Sequence, residues 1–427
     1  MNRKNLRKEF AAVTMLLVMA FISALFFSCR LVNAAAPEIT ESYVGYYDQY
    51  HNDELRMHYR AKMHKVDGQR AYCISMTKSS EPGAAKEVNI KKFLPGDELV
   101  MACLAQKYIF ELEGYTTNEK YMLTQCMVWY IQRDHIGDGG WRQYVSDIDM
   151  SVSEQKKFYA DMEKRAKSEA SRYEGQGTAW ENIDVEDVQE VGILLAPILK
   201  TGDLTLKKSS AITELVKGNQ CYSLAGAEYG VYEDSACTKS VGTLTTDTEG
   251  NTEKITVEAG TYYVKEKKAS KGYLLDGKVY TVPVGYGETK TVAVKETPGF
   301  TDMNLLIEKI DAESLRAEAK GEASLAGAEF TVCYFDGYYD EDNIPDYDSC
   351  GSAAKRKWIL KTAESEEDGE IRYFADMQNS ECKEGGDEYY RAGEKNILPL
   401  GTLTVQETKA PKGYTLKNAY LENTETK

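Results

Sequence analysis

The hexapeptide Ser223-Leu224-Ala225-Gly226-Ala227-Glu228 occurs again 101 positions later as Ser324-Leu325-Ala326-Gly327-Ala328-Glu329. A lysine precedes each copy by 15 residues, Lys208 in the first and Lys309 in the second. A repeat at this distance indicates two related domains in the C-terminal half of the chain. Short alternating strands and glycine-rich turns surround both copies, and this texture predicts two β-sandwiches.

A second shared element closes each copy. It reads YYVKEKKASKGY at residues 262–273 and LTVQETKAPKGY at residues 403–414, an offset of 141. The second copy therefore holds 40 more residues between its two markers. We assign this insertion to the Asp-, Glu- and Tyr-rich stretch at about 334–393 and expect it to form loops, which tolerate added residues.

Alternation along these strands turns ionisable side chains inward. Because alternate residues of a strand face opposite sides, Lys208 and Glu266 of the first copy fall on the faces that carry leucine, tyrosine and valine. The same alternation turns Glu296, Lys309 and Glu407 towards apolar neighbours. A buried charge without a partner is costly, so we expect these groups to pair or to react.

The combined pattern of apolar-x-apolar-x-Lys, Leu-Ala-Gly-Ala-Glu and Val-x-Glu-x-x-Ala-Pro-x-Gly-Tyr resembles the collagen-adhesin B-repeat domains, also called SpaA-like or prealbumin-like. These domains form the stalks of Gram-positive surface adhesins and pilins. The resemblance covers roughly residues 200–427. It implies an autocatalytic isopeptide bond from the lysine to an Asn or Asp on the last strand, with the buried glutamate as proton shuttle.

The acceptor position departs from this pattern in both copies. In the first copy it holds Glu296, so an isopeptide bond to Lys208 and a buried ion pair both remain open. In the second copy the acceptor would fall at position 437, ten residues beyond Lys427. We therefore expect the closing strand of this copy, and any wall-anchoring signal, to lie outside the sequence.

The region before the repeats carries helical periodicity and fewer strand signals. Thr116 and Glu119 form a capping-box pattern at the start of a helix that we expect to run through Asp134. A second capping box at Ser151 predicts another helix, which runs towards Tyr173.

A cysteine and a glutamine stand out in this region. Cys73 lies in the predicted strand 70–76, and Gln125 lies on the apolar stripe of the first helix, where a polar side chain requires a partner. The segments Tyr72-Cys73-Ile74 and TQCMVW at residues 124–129 together resemble the thioester domains of Gram-positive adhesins. The glutamine motif of that family is Thr-Gln-x-Ala-x-Trp, and Met127 stands where alanine is usual.

This second resemblance implies an internal thioester, in which the Cys73 thiol displaces ammonia from the Gln125 carboxamide. A fold that holds thiol and carbonyl in contact supplies a large effective molarity, ~10⁵ M or more in well-oriented cases. Tyr72 and Trp129 are candidate shields against water. The implied partner is a host or surface protein with accessible amines, which the thioester would acylate.

Three other interpretations remain open. Cys73 could form a disulfide with Cys103 or Cys126 while Gln125 serves as a core amide. Cys73 and His135 could form a cysteine-protease pair, although nothing in the sequence places an orienting residue beside His135. The chain could also be a structural stalk or pilin subunit whose N-terminal domain binds noncovalently.

The N-terminus reads as a signal peptide. A basic segment precedes an apolar run, and Val32-Asn33-Ala34 fits cleavage before Ala35. A retained signal-anchor and a lipoprotein attached at Cys29 are the alternatives. Export permits disulfides, and Cys221 with Cys237 and Cys350 with Cys382 are candidate pairs, although free thiols are also open.

Composition excludes several classes of function. With 52 Lys and Arg against 68 Asp and Glu, the net charge of −16 disfavours nucleic-acid binding. The sequence has no CxxC or HExxH motif, and its four histidines show no ligand spacing, so we expect no metal site and no cofactor.

These observations predict an exported, multidomain surface adhesin at the Gram-positive cell wall. An α+β thioester domain would precede all-β immunoglobulin-like, prealbumin-like sandwiches. We expect no turnover enzyme, because each intramolecular bond forms once, and no membrane-spanning partner after signal cleavage. The predicted segments are the signal peptide at 1–34, the thioester domain at 37–198, and SpaA-like domains at 200–299 and 302–427.

Overall fold

The computed structural model describes residues 36–51, 54–75, 78–134, 143–340, 342–345, 352–367, 369–416 and 424–425. The chain divides into two compact units, Met1–Lys200 and Thr201–Lys427. The predicted signal peptide, Cys29, His135 and Cys350 lie outside the described residues. None of the described helices combines the length and the apolarity that crossing a membrane requires.

The first unit is built on a seven-stranded sheet that closes on itself. Its hydrogen-bonded order is β2-β3-β8-β7-β4-β1-β5, and β1 also pairs with β2, so six strands form a ring. Apolar side chains from five of these strands form one buried cluster, and the partly buried Trp180 of β7 packs against it. The strands of this unit are β1 Glu38–His51, β2 Glu54–Val66, β3 Gln69–Cys73, β4 Gly83–Val88, β5 Gln143–Ser146, β6 Tyr173–Glu174, β7 Gly177–Asn182, β8 Val191–Leu194 and β9 Ile198–Leu199.

This region holds more strands than its weak strand signals indicate. β1 and β2 form a long antiparallel hairpin whose register shifts between Tyr43 and Gly45 and again between Gln49 and Tyr50. Each such bulge adds a residue to one strand and breaks the two-residue period. The alternation that reveals a strand in a sequence is therefore interrupted once in β1 and once in β2.

Three helices pack in the larger core of this unit. They are α1 Glu98–Glu111, α2 Thr117–Ile131 and α3 Val152–Glu169, with 3-10 turns at Ile90–Lys92, Gln132–Asp134 and Ala170–Arg172. Both predicted capping boxes are confirmed, at Thr116 with Glu119 and at Ser151 with Glu154. Helix α2 buries more of its surface than the predicted apolar stripe; Leu123, for example, lies outside that stripe and is buried.

The second unit begins with a two-sheet sandwich. Its sheets have the orders β13-β10-β16 and β12-β11-β14-β15, and β10 runs parallel to β16. Side chains from both sheets form one core. The elements are β10 Thr201–Ser210, α4 Thr213–Val216, β11 Glu228–Tyr232, β12 Ser240–Thr245, β13 Ile255–Glu258, β14 Gly260–Lys268, β15 Val279–Val284 and β16 Thr289–Glu296.

The repeated hexapeptide forms the same turn in both copies. Gly226 and Gly327 have φ angles of 82° and 86°, in the left-handed region that glycine adopts without a steric penalty. The alanine before β11 donates its backbone N–H to Thr246 Oγ1 at 3.0 Å, and the equivalent alanine of the second copy donates to Thr362 Oγ1 at 3.0 Å. These two threonines therefore occupy equivalent positions.

The second copy distributes its strands over several small sheets. Their orders are β17-β25-β24, β18-β22-β21 and β23-β20-β19-β26-β27. The strands are β17 Phe300–Asp302, β18 Leu306–Glu308, β19 Glu329–Phe335, β20 Arg356–Lys361, β21 Ala363–Glu367, β22 Glu370–Asp376, β23 Lys383–Gly386, β24 Tyr390–Ala392, β25 Lys395–Pro399, β26 Thr402–Lys409 and β27 Thr424–Glu425, with a 3-10 turn at Ser380–Cys382.

The 40-residue insertion is only partly made of loops, contrary to the expectation. Thr246 and Thr362 stand 116 positions apart, so 15 additional residues precede Thr362 and 25 follow it. β20 ends one residue before Thr362 as β12 ends one residue before Thr246, so it is a shared strand, whereas β21 to β24 lie within the stretch assigned to the insertion. Ala375 of β22 and Tyr390 of β24 are buried against the core, which explains why this stretch forms strands.

Candidate functional site

The Cys73 backbone and the Gln125 side chain form a closed pair of hydrogen bonds. Cys73 N–H donates to Gln125 Oε1 at 2.7 Å, and Gln125 Nε2 donates to Cys73 O at 2.8 Å. Both residues are 1% exposed. Cys73 ends strand β3, and Gln125 lies in the middle of helix α2. The structure therefore brings together the two residues of the predicted thioester.

Aromatic residues enclose this pair. Tyr72 is fully buried and stacks on Tyr121 at 5.0 Å between ring centroids, with an interplanar angle of 13°. Trp129, on helix α2, packs edge-on against Tyr47 at 5.2 Å. Burial in these surroundings keeps bulk water away from the thiol and the carboxamide.

Burial determines the protonation state of the Cys73 thiol. Desolvation raises its pKa to about 12, and hydrogen bonds with the Ser75 carbonyl and the Trp129 indole offset this only in part. The thiol donates to Ser75 O at 3.5 Å. Cys73 is therefore a protonated thiol at neutral pH, and any attack on a carbonyl must move this proton.

The neighbouring cysteines are separate from the pair. Cys73, Cys103 and Cys126 all carry free thiols, so the structure forms no disulfide at Cys73. The Cys103 thiol donates to Gln176 O at 3.2 Å. Burial raises the pKa of Cys103 to about 11 and that of Cys126 to about 12.

The first sandwich buries a lysine and two glutamates. Lys208, Glu266 and Glu296 are 0%, 3% and 1% exposed. Lys208 Nζ lies 3.1 Å from Glu266 Oε1, and the other oxygen of that carboxylate accepts the Asp276 N–H at 2.6 Å. The ammonium also lies 4.8 Å from the centre of the Tyr273 ring. The lysine thus has a carboxylate partner and an aromatic face.

Glu296 has a different partner. Tyr229 donates its hydroxyl to Glu296 Oε1 at 2.7 Å, while Glu296 Oε2 is buried and has no hydrogen-bond partner within the described residues. Burial raises the pKa of Glu296, and the nearby Glu266 carboxylate acts in the same direction. A protonated Glu296 leaves the cluster neutral, with Lys208 paired to Glu266.

The second sandwich holds a more open version of this cluster. Lys309 Nζ lies 2.7 Å from Glu407 Oε2, and these side chains are 19% and 21% exposed. Phe330 replaces Tyr229 at the equivalent position, so no hydroxyl is present there. In the described part of the chain β18 pairs with β22 alone, whereas β10 pairs with both β13 and β16.

The predicted disulfide pairs and the possibility of a metal site remain to be compared with the structure. Cys221, Cys237 and Cys382 carry free thiols, so the structure does not join Cys221 to Cys237, and Cys350 lies outside the described residues. Over the ranges described above, no group of three or more His, Cys, Asp or Glu side chains is placed to hold a metal ion.

The sequence analysis missed a second glutamine near Cys73. Gln132 is 2% exposed, and its Nε2 donates to Ile74 O and to Phe93 O, both at 2.9 Å. Gln132 follows Gln125 by seven residues, a spacing that in the sequence predicts the same face of a helix, although the structure places Gln132 in the turn just after α2. That spacing is the signal that could have identified it.

Several solved structures resemble the chain at low similarity. The TIE protein of Bacillus anthracis is 18% identical over 92% of this chain and 81% of its own, with a TM-score of 0.33. GBS52, the minor pilin of Streptococcus agalactiae, is 19% identical over 29% and 60%, with a TM-score of 0.19. A C-terminal fragment of the pilus adhesin SpaC from Lactobacillus rhamnosus GG is 16% identical over 53% and 83%, with a TM-score of 0.29.

No curated protein sequence matches the chain. A family model does match part of it. Residues 211–298, within the first sandwich, match the SpaA model, which describes a prealbumin-like fold domain.

Proposed function

We propose that the chain is a surface adhesin that forms an internal Cys73–Gln125 thioester and covalently captures amines. The observation that carries this proposal is the contact between the Gln125 carboxamide and the Cys73 backbone, at 2.7 and 2.8 Å in a buried site. This contact fixes the Gln125 carboxamide beside the residue whose thiol would attack it, and such preorganisation matters because a primary amide is a poor electrophile in solution.

The hydrogen-bond pattern suits this chemistry. The Cys73 N–H donates to Gln125 Oε1, the oxygen that becomes negatively charged when sulfur attacks the carbonyl carbon. The Sγ–Cδ bond forms and the Cδ–Nε2 bond breaks. The thiol proton goes to the departing nitrogen, which leaves as ammonia. No oxidant, metal or cofactor takes part.

Capture of a partner repeats the exchange with a different amine. An amine of a host or surface protein attacks the thioester carbonyl, forms an amide with the Gln125 side chain and returns Cys73 to the thiol. The adhesin is then attached by a covalent bond and does not turn over. The SpaA-like domain supports display on a stalk at the Gram-positive cell surface.

An isopeptide bond in the stalk is a separate candidate, which competes with the Lys208–Glu266 ion pair. Lys208 and Glu296 form the candidate bond in the first sandwich, with Glu266 as proton shuttle. Amide formation between the lysine and a glutamate carboxyl would release one water. Lys309 and Glu407 are the corresponding lysine and shuttle in the second sandwich.

A noncovalent stalk or pilin-like protein is the second candidate, and the same contacts support it equally. Both polar atoms of the Gln125 carboxamide are satisfied by Cys73, as expected of an ordinary core amide. A cysteine protease is disfavoured, because a buried thiol with a raised pKa is the opposite of a reactive thiolate.

Intact mass of the full chain tests the proposal. We compare wild type with Cys73→Ala and Gln125→Ala, each with and without methylamine. The thioester predicts a wild-type mass short by one ammonia, conversion by methylamine to an adduct that maps to Gln125, and neither change in the two variants. Cys103→Ala, which removes another buried thiol, is the matched control and should behave as wild type.

A wild-type chain of full mass that takes up no methylamine would refute the thioester and favour the noncovalent stalk. In the same spectra, a mass short by one water in wild type but not in Lys208→Ala would identify the Lys208–Glu296 amide.

A further inference from the structure

Helix α2 and the turn after it contact strand β3 and its extension at three points. Tyr121 donates its hydroxyl to Ala71 O at 2.9 Å, the Gln125 carboxamide pairs with Cys73, and Gln132 Nε2 donates to Ile74 O at 2.9 Å. The reactive pair is the middle contact, between two hydrogen bonds to backbone carbonyls.

The distance between the first two contacts is nearly the same along the helix and along the strand. Tyr121 and Gln125 are four residues apart on a helix, which is a rise of about 6 Å. Ala71 and Cys73 are two residues apart on a strand, a distance of about 6.6 Å. A helix held at Tyr121 on Ala71 therefore places Gln125 opposite Cys73.

Each flanking side chain is itself held by another element. The Tyr121 hydroxyl accepts the His64 N–H of strand β2 at 3.1 Å, and its ring stacks on Tyr72. Gln132 donates a second hydrogen bond to Phe93 O at 2.9 Å. Tyr121 is 0% and Gln132 2% exposed, so water does not compete for these contacts.

We propose that Tyr121 and Gln132 are positioning residues that set the register of helix α2 on strand β3 for the Cys73–Gln125 bond, an inference that rests on the proposed function. When the bond forms, the Gln125 nitrogen leaves as ammonia and its hydrogen bond to Cys73 O is lost. The two flanking contacts involve no reacting atom. They therefore remain in both the amide and the thioester state and keep helix α2 in register with strand β3.

The test uses the reverse reaction in the full chain, because ammonia competes with the Cys73 thiol for the Gln125 carbonyl. The thioester form is incubated at increasing ammonium concentrations, and the ratio of amide to thioester mass is measured. The ammonium concentration at half-conversion reports how well the folded chain holds thiol and carbonyl together. Global stability does not enter this ratio while the chain remains folded, which circular dichroism monitors.

Tyr121→Phe and Gln132→Met each remove one flanking donor and keep most of the side-chain volume. We expect each to lower the half-conversion concentration at least about tenfold, since small misplacements cost large factors in effective molarity. Tyr108→Phe is the matched control. It removes another buried hydroxyl of this unit, on helix α1, and should leave the value unchanged.

Each result decides the matter. Unchanged half-conversion in Tyr121→Phe and Gln132→Met, or an equal loss in Tyr108→Phe, would overturn the positioning role while leaving the thioester itself intact. If one variant does not fold, the other decides; if neither folds, these side chains serve the fold alone and the proposal fails. A wild type without a thioester would overturn the proposed function and this inference together.

Discussion

Replacing Lys208 with methionine should strongly destabilise the first sandwich. The Lys208 and Glu266 side chains are 0% and 1% exposed, and their charged atoms lie 3.1 Å apart. Lys208→Met keeps the aliphatic stem but leaves the Glu266 carboxylate buried without its cation. Removal of one partner from a buried pair costs about 3–5 kcal/mol. At a urea dependence of about 1–3 kcal/mol per M, the unfolding midpoint should fall by more than about 1 M.

If the buried charge of Glu266 causes this loss, removing that charge should reverse it. Glu266→Gln in the Lys208→Met background removes the orphaned charge while keeping an oxygen for the Asp276 N–H. This double variant should recover most of the lost free energy of unfolding, because a well-packed neutral pair replaces a buried ion pair at little cost.

Hydrogen–deuterium exchange in urea is the suitable assay, because residues 200–299 contain no tryptophan. Peptides from β10 and β14 report on this sandwich. A loss below about 1 kcal/mol in Lys208→Met would place the pair among solvated ion pairs. A double variant as unstable as the single one would assign the loss to packing. A wild-type mass short by one water would mean that Lys208 is already an amide, and would refute the ion-pair reasoning.

Three further results are expected. Burial raises the pKa of Glu296 in the folded state. Its contribution to the free energy of unfolding is therefore fully present below about pH 4 and is lost as pH rises through the raised pKa. Urea titrations at a series of pH values should show this loss in wild type and a flatter dependence in Glu296→Gln. Thr116→Ala removes the acceptor for the Glu119 N–H at the start of α2 and should cost about 1 kcal/mol, seen as a lower melting temperature by tryptophan fluorescence. Asn219→Ala removes donors to Tyr334 and to a backbone carbonyl and should cost about 1–3 kcal/mol, with faster amide exchange around residue 219 as the readout and an unchanged rate as the refutation.

Local features of the fold were predictable from the sequence. Both capping boxes occur where the residue pattern places them, because a cap involves residues only three positions apart. The inward positions of Lys208, Glu266 and Glu296 follow from alternation along regular strands. The repeated hexapeptide forms the same turn twice, because its glycine adopts a left-handed φ in both copies.

Contacts between distant segments required the tertiary structure. Cys73 and Gln125 are 52 residues apart, and neither motif alone states that the carboxamide meets the backbone N–H and C=O of the cysteine. The division of the insertion into 15 and 25 residues became visible only through Thr246 and Thr362, which receive equivalent hydrogen bonds.

The sequence by itself therefore identified the cysteine and the glutamine that the structure brings together, and which way the regular strands face, since both depend on the residues themselves and on a local period. The tertiary structure decided the rest. It closed the ring of six strands through bulged pairings that have no simple period. It also decided that Glu296 accepts a tyrosine hydroxyl while Glu266 pairs with the lysine. The choice of partner depends on how segments about 60 residues apart pack against one another.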